Sequence, residues 1–328
     1  MRGRVGAVRF IARPPWWGGD LQTVRGYLRR PPAPPEGGER IEFGLPDGDR
    51  LVATLDRPSA ASSRPLVILI HGLTGSQDSN YMLASARHFL GEGYPVLRLN
   101  LRGAGASRPL CRQSYHAGRS ADLQAVLAQM DGRLARHGLL LVGYSLGGNM
   151  LLKHLGEQGR RAQVLAAASV SAPIDLKATQ LSMARWRNRL YHDYLLRRMK
   201  EEALAPDASP TAAARAAMPG IATTWEFDER IVAPRNGFEG AEDYYARCSA
   251  GPFLRQIRVP TLVVHALDDP WIPGRLYQAV DWAANPRLKP LLPRGGGHVG
   301  FHGWGAAQPA HDNWMAAFFA AAQRRGPE

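Results

Sequence analysis

The feature that most constrains the fold of this chain is a series of short, continuously apolar segments. The runs lie at residues 65–70, 94–101, 139–144, 163–171, 260–266 and 287–292. Unbroken hydrophobicity, as opposed to alternation, predicts strands that are buried on both faces, as in a parallel sheet. Helix-forming stretches separate the runs, at 79–91, 119–136, 146–157 and 273–284, and a further one follows at 306–323. This alternation predicts an α/β fold with a twisted, mostly parallel sheet flanked by helices.

Two parts of the chain fall outside this rhythm. Residues 1–40 are rich in proline and contain tryptophan, so we expect an extended N-terminal segment that wraps the domain. Residues 172–256 lack strand-like runs and are rich in helix formers, arginine and aromatic residues. We interpret this stretch as a helical cap inserted into a core formed by 41–171 and 257–328. An insertion at this point would lie above the carboxyl ends of the strands, where open α/β sheets bind ligands.

Local patterns add detail to this division. Residues 40–58 alternate apolar and polar side chains around a turn at 46–49, which predicts a β-hairpin. An amphipathic cap helix that packs on the core is predicted by apolar residues at helical spacing, namely Trp186, Leu190, Tyr194 and Leu195. Arginines occupy the other faces of 184–200, and this basic surface suggests transient contact with a membrane surface.

The charge of the chain is strongly basic, with a formal net charge of +13. Only four of the 41 basic residues are lysines, and the arginines form scattered pairs, so we expect a solvated surface and no nucleic-acid partner. No apolar run approaches about 18 residues, which argues against a membrane-spanning helix. The two cysteines, Cys111 and Cys248, form no CxxC motif, so neither a disulfide framework nor a thiolate metal site is expected. A cytoplasmic location is the default expectation.

The motif Gly143-Tyr144-Ser145-Leu146-Gly147 joins the third apolar run to the helix predicted next. Small residues two positions before and two positions after the serine would let strand and helix approach closely around a sharp turn that exposes the hydroxyl. The pentapeptide alone is a weak signal in a chain with 35 glycines, but its place between a strand and a helix is the one this turn requires. Ser145 is therefore the predicted nucleophile.

A serine hydroxyl needs a base within hydrogen-bond reach before it can attack a carbonyl. His298 follows the last apolar run in a glycine-rich loop, and its chain order and loop placement make it the predicted base. His302 lies four residues further on, a spacing compatible with metal ligands on a helix, but the intervening glycine argues against a helix. We expect no metal and no cofactor.

The third catalytic group must orient the imidazole and stabilise its protonated form. Asp268 and Asp269 follow the fifth apolar run, 260–266, and either carboxylate could serve. Asp175, which follows the fourth run, is a more distant alternative. The aspartate that does not serve would cap a turn.

Taken together, these motifs and several cap segments resemble the YheT-like branch of the α/β-hydrolases. The resemblance is carried by LQT (21–23), HGLTGS (71–76), NLRGAGAS (100–107), GYSLGGNML (143–151), WEFDERIVAPRNGF (225–238), AEDYYARCSA (241–250), ALDDPWIP (266–273) and GGHVGF (296–301). It implies the α/β-hydrolase fold, with Ser145, Asp269 and His298 at the triad positions. Asp269 is preferred to Asp268 because superfamily members carry the acid three residues after a small residue at the strand end, here Ala266.

The resemblance also implies the oxyanion hole. In α/β-hydrolases one backbone N–H donor comes from the loop that HGLTGS would form, and the other belongs to the residue after the nucleophile. These positions are Leu73 and Leu146. For His71, in the same loop, we expect a structural role.

The activity implied is that of a serine carboxylic-ester hydrolase that passes through an acyl-enzyme. Its substrate would be a small-molecule or lipid-derived ester with a short- to medium-chain acyl group. Two alternatives stay open. The same triad could transfer the acyl group to an alcohol, or the fold could be catalytically idle and bind partners through its basic surface.

Overall fold

The predicted strands assemble into a single eight-stranded sheet in a computed structural model that describes residues 10–161, 163–208 and 210–325. The strands are β1 (Glu39–Gly44), β2 (Arg50–Asp56), β3 (Leu66–Ile70), β4 (Val96–Leu99), β5 (Leu139–Tyr144), β6 (Ala166–Val170), β7 (Thr261–Val264) and β8 (Leu288–Leu291). Their order across the sheet is β1-β2-β4-β3-β5-β6-β7-β8. Strand β2 runs antiparallel to β1 and β4, and the other neighbours pair in parallel. The predicted hairpin and the mostly parallel sheet are confirmed.

The helices that flank and cover this sheet number twelve in the described residues. They are α1 (Gly18–Leu28), α2 (Asn80–Gly91), α3 (Ser120–Ala128), α4 (Leu146–Gln158), α5 (Leu176–Met183), α6 (Arg189–Leu204), α7 (Ala212–Ala217), α8 (Thr224–Phe227), α9 (Ala233–Arg235), α10 (Ala241–Cys248), α11 (Gly274–Gln278) and α12 (Ala310–Arg325). The helix predicted over 119–136 ends at Ala128, because Asp131 accepts the Arg133 N–H in a local turn that competes with the helix.

The apolar core lies on both faces of the sheet, as unbroken hydrophobic strands require. Every residue of β5 is buried. Leu139 and Leu141 pack in a cluster with α3 and α4, whereas Leu140 and Val142 pack in a second cluster with α2 and α12. Burying each such side chain contributes roughly 2 kcal/mol. A rigid central strand therefore leads directly into the Ser145 turn.

The N-terminal segment differs from its prediction. Residues 1–9 lie outside the described residues, and instead of an extended strap the chain forms α1. Gln22 and Thr23 on this helix are buried, and the Gln22 amide donates to the carbonyl oxygens of Trp16 and His302, at 2.6 Å and 3.1 Å. Prolines and tryptophans precede residue 18, and prolines follow residue 30. These flanks led to the prediction of an extended segment although the residues between them form a helix.

In the described part of 172–256, called the cap below, every regular element is helical. Its separation from the core at residues 171 and 257 stays a prediction. The predicted stripe was wrong at its start: Trp186 and Leu190 are 90% and 85% exposed. Helix α6 begins only at Arg189, after a short 3₁₀ turn. Its buried face follows a different register, with His192, Leu195, Leu196, Met199 and Ala203.

Candidate active site

Ser145 lies at the turn between β5 and α4, with φ 51° and ψ −121°. This left-handed backbone costs a non-glycine residue free energy, on the order of 1–3 kcal/mol, and is kept only where the surroundings impose it. The surroundings here are very close. A Cβ at Gly147 would lie 2.3 Å from the His71 carbonyl oxygen, and one at Gly143 would lie 2.5 Å from the Gly147 carbonyl oxygen. The sequence motif thus forms the strained strand-to-helix turn that it predicts.

His298 bridges Ser145 and Asp269. Its Nε2 lies 2.9 Å from the Ser145 Oγ, and its Nδ1 lies 2.9 Å from the Asp269 Oδ2. Both His298 and Asp269 are buried. The ring of Trp271 stacks on the imidazole, with 4.1 Å between the ring centroids. Ser145, which lies more than 120 positions before the other two residues, therefore forms one hydrogen-bonded chain with them.

The charge state of Asp269 determines the direction of these hydrogen bonds. Burial alone would raise the pKa of this carboxyl, but the His298 imidazole, the neighbouring His265 and the Ile272 N–H together hold the pKa below its usual value. Its second oxygen accepts the N–H groups of Trp271 and Ile272, at 2.8 Å and 3.0 Å. An ionised carboxylate can only accept, so His298 carries its proton on Nδ1, and Nε2 is left to accept the Ser145 hydroxyl.

The alternative acids have other contacts. Asp268 accepts the Gly297 N–H at 2.9 Å and so anchors the loop that carries His298. Asp175 caps α5 by accepting the Ala178 N–H at 2.9 Å. Within the described residues, neither side chain is hydrogen-bonded to an imidazole. Of the three candidates, the geometry brings only Asp269 to His298.

The remaining predicted histidines are held in neutral, structural positions. His71 is completely buried, and its two ring nitrogens bond the Gly72 carbonyl and the Leu101 N–H. Burial lowers its pKa to about 4. Burial and the Arg25 charge lower the pKa of His302 to about 3. In the described residues no group of three histidine, cysteine or acidic side chains is arranged to hold a metal ion.

The loop after β3 contains the Leu73 N–H, one of the two predicted oxyanion donors. The Gly72 N–H donates to the Tyr81 hydroxyl at 2.9 Å, and the Thr74 N–H donates to the Tyr115 hydroxyl at 2.7 Å. The N–H of Leu73, between them, makes no hydrogen bond within the described part of the chain. Leu146 is the first residue of α4, where helical N–H groups lack an intrahelical acceptor. Both predicted donors are therefore free to bind an oxyanion.

Tyr115 links this loop to the cap, a connection that sequence reasoning missed. Its hydroxyl accepts from Thr74 and donates to the Glu202 carboxylate on α6, at 3.0 Å. Burial raises the pKa of Glu202 to about 7. Tyr115 lies in a loop without a recognisable motif, and Glu202 is one of many charged residues on α6, so only the tertiary contact reveals the pair.

Leu73 lines both a groove and a smaller cavity. A groove of about 740 Å³ contains Ser145 and His298 and is walled by α1, α2 and the loop around His302. A cavity of about 200 Å³ lies beneath the cap, lined by Tyr115, Leu146 and Glu202 among others. The groove is within the range of small-molecule sites. None of the helices in the described ranges has both the length and the apolar character to cross a bilayer.

The fold, with Ser145, His298 and Asp269 bonded in series at the strand-to-helix turn, is that of an α/β-hydrolase. Sequence comparison supports this class. A family model described as the alpha/beta hydrolase fold matches residues 65–303. The chain therefore belongs to the α/β-hydrolase family.

Within the family, the chain is 34% identical over 269 residues to YheT of Escherichia coli, a protein designated an esterase. That match covers 81% of this chain and 78% of YheT. The predicted resemblance to the YheT-like branch is confirmed.

A more distant relative is the human protein named Phospholipase ABHD3, with 26% identity over 80% of this chain and 64% of its own length. The chain thus spans a little under two thirds of that relative. A crystal structure of the Pyrococcus furiosus esterase Pf2001 superposes with a TM-score of 0.58 at 15% identity, covering 97% of this chain and 99% of that one. This last similarity supports the fold alone.

Proposed function

We propose that this protein is a serine carboxylic-ester hydrolase. The observation that carries the proposal is the unbroken chain from Ser145 Oγ through His298 to Asp269, with 2.9 Å at each step, at a strained strand-to-helix turn. Hydrolase relatives with esterase and phospholipase names agree with it.

The chemistry follows from the hydrogen-bond directions. Ser145 Oγ attacks the ester carbonyl while its proton moves to His298 Nε2, and Asp269 stabilises the imidazolium. The N–H groups of Leu73 and Leu146 bind the oxyanion, and each is worth roughly 3 kcal/mol in the transition state. The imidazolium then protonates the leaving alcohol as the ester C–O bond breaks. Water repeats the sequence on the acyl-enzyme and releases the carboxylic acid.

Substrates of this site would be short- to medium-chain acyl esters or lipid-derived esters, for which a groove of about 740 Å³ has room. Turnover of p-nitrophenyl butyrate tests the proposal. We expect Ser145→Ala to lower kcat by several orders of magnitude, as loss of a triad nucleophile does. Turnover by Ser145→Ala equal to wild type would contradict the proposal. Transfer to an added alcohol, measured as ester product, distinguishes hydrolysis from acyl transfer.

We also propose transient contact with a membrane surface near the groove. Asp20 bonds the side chains of Arg187 and Tyr191, which places α1 beside the start of α6. Next to this junction Trp186 and Leu190 are exposed, and so are apolar side chains at the start of α1, namely Trp17 and Leu21. Burying exposed tryptophan and leucine in a lipid interface is favourable, and nearby arginines favour anionic lipid.

Vesicle co-sedimentation tests this contact. We expect more protein bound to phosphatidylglycerol vesicles than to phosphatidylcholine vesicles, and a several-fold loss of binding in a Trp186→Ala/Leu190→Ala variant. Equal sedimentation of wild type and variant would contradict it.

A further inference from the structure

The groove that holds Ser145 has an unbalanced charge. Five arginines line it, and none of its lining residues in the described chain is acidic; the arginines are Arg13, Arg25, Arg29, Arg30 and Arg87. Within the described residues none of the five forms a salt bridge. A cationic groove whose charges are not paired with carboxylates attracts and orients anions.

The arginine-rich composition does not account for this imbalance. Elsewhere, two buried arginines are surrounded by carboxylates: Arg98 pairs with Asp56 and Asp78, and three aspartates surround Arg102. A third buried arginine, Arg108, donates to backbone carbonyls. The cavity on the other side of Leu73 is lined by Arg112 and Arg235, but also by Glu202 and Asp228. Of these two spaces, the one with the nucleophile lacks acidic residues among its described lining.

Arg25 contacts two neighbouring rings in the groove. Its Nη1 donates to the His302 Nδ1 at 3.1 Å, and its guanidinium lies over the Trp16 ring, 5.7 Å from the centroid. Its Nε is buried and has no hydrogen-bond partner among the described residues. A buried donor without an acceptor is costly and marks a position where a ligand can supply one.

The arginines also repel one another. Burial, followed by the charges of Arg29 and Arg13, lowers the pKa of Arg25. A cation in the last turn of α1 is favourable to the helix dipole, which accounts for Arg25. It does not account for a like charge four residues later at Arg29 or for Arg30 beside it. A bound anion would relieve this repulsion.

Helix α1 and the two residues after it hold three of these charges in the groove that contains the reacting atoms. Thr23, two residues before Arg25, accepts the His298 N–H at 2.8 Å. The helix that carries the arginines is thereby fixed to the loop that carries the base. A group bound by Arg25, Arg29 and Arg30 would belong to the molecule whose ester lies at Ser145.

We propose that the substrate is an anionic ester, with a phosphate or carboxylate group outside the scissile bond, and that Arg25, Arg29 and Arg30 bind that group. Guanidinium groups match both oxyanions through paired hydrogen bonds. The inference rests on the proposed ester hydrolysis and specifies its substrate class.

Matched substrates test it. The first pair is 1-octanoylglycerol and 1-octanoylglycerol 3-phosphate, which share the ester and differ by the phosphate. The second pair is 3-(octanoyloxy)propanoate and its neutral amide, which distinguishes a carboxylate from a phosphate. All are assayed below their aggregation concentrations with wild type, Arg29→Gln/Arg30→Gln, Arg25→Gln and the control Arg160→Gln/Arg161→Gln. The control removes the same charge from an exposed site just beyond the far end of α4, roughly 20 Å from Ser145.

We expect wild type to favour at least one anionic ester over its neutral partner by about tenfold or more in kcat/KM. That ratio falls about tenfold in the groove variants, declines as salt rises, and stays unchanged in the control. Turnover of neutral esters without any anionic preference overturns the inference alone, as does an equal fall of the ratio in the control. Absence of turnover on every ester, p-nitrophenyl butyrate included, contradicts the proposed function itself.

Discussion

Two loops meet at Ser145, and in both of them side chains accept backbone N–H groups. The two loops present different groups to the site. In the loop with His298, three consecutive N–H groups are all accepted by side chains: Asp268 accepts from Gly297, Thr23 from His298 and Ser171 from Val299. In the loop after β3, hydroxyls accept the N–H groups of residues 72 and 74 and leave residue 73 open.

This difference shows how each loop can contribute to catalysis. The first loop has its backbone satisfied and presents a side chain. The second loop is fixed by hydrogen bonds at residues 72 and 74 and presents the backbone N–H of residue 73 between them. A preorganised oxyanion hole requires such a donor. The first loop would act through the His298 side chain, and the second through the Leu73 backbone N–H. Their disruption should therefore have effects of very different size.

The largest effect should come from the acid behind His298. We expect Asp269→Asn to lower kcat by up to about 10⁴, because the amide can no longer hold the Nδ1–H tautomer. Asp268→Asn is the matched control: it keeps an oxygen acceptor for the Gly297 N–H, so a loss within about tenfold is expected. Steady-state kinetics on p-nitrophenyl butyrate measures both. A larger loss in Asp268→Asn would exchange the two assignments.

A smaller effect should come from the support of the oxyanion loop. Tyr115→Phe removes the acceptor of the Thr74 N–H and the link to Glu202, so Leu73 would be held less firmly. We expect kcat to fall about tenfold with KM little changed, less than the roughly 10²-fold or greater loss when an oxyanion donor itself is removed.

Tyr94→Phe is the control for this substitution. Its hydroxyl is also a buried hydrogen-bonding partner, but it contacts Gln323 on α12 and lies away from both loops. If Tyr94→Phe lowered kcat as much as Tyr115→Phe, the effect would be one of general stability, and the comparison between the loops would fail.

Local sequence was sufficient to predict the sheet, the strand-to-helix turn at Ser145 and the candidate base. Unbroken apolar runs require burial on both faces. A serine with glycines two positions before and after it, at a strand-to-helix turn, is a local pattern. The acid could not be chosen by chemistry, since Asp268 and Asp269 are equivalent carboxylates in adjacent positions. Only the turn at 269–272, whose N–H groups bind one oxygen of Asp269, sets the other oxygen toward His298.

The contacts that support the site were not predictable because they depend on long-range packing. Thr23 and Arg25 lie on a helix that proline-rich flanks disguised, and they meet a loop more than 270 residues away. The exposed Trp186 and Leu190 fit a helical stripe in sequence, but α6 begins after Trp186 and buries a different face. Periodicity cannot report where a helix begins when a 3₁₀ turn precedes it.

The central claim, that the Ser145 hydroxyl is activated by His298, is tested most directly by reaction with a fluorophosphonate followed by peptide mass spectrometry. We predict a single adduct on Ser145, its absence in Ser145→Ala, and much slower labelling of Ser145 in His298→Ala. Labelling of Ser145→Ala at the rate of wild type, or of His298→Ala as fast as wild type, would contradict the claim.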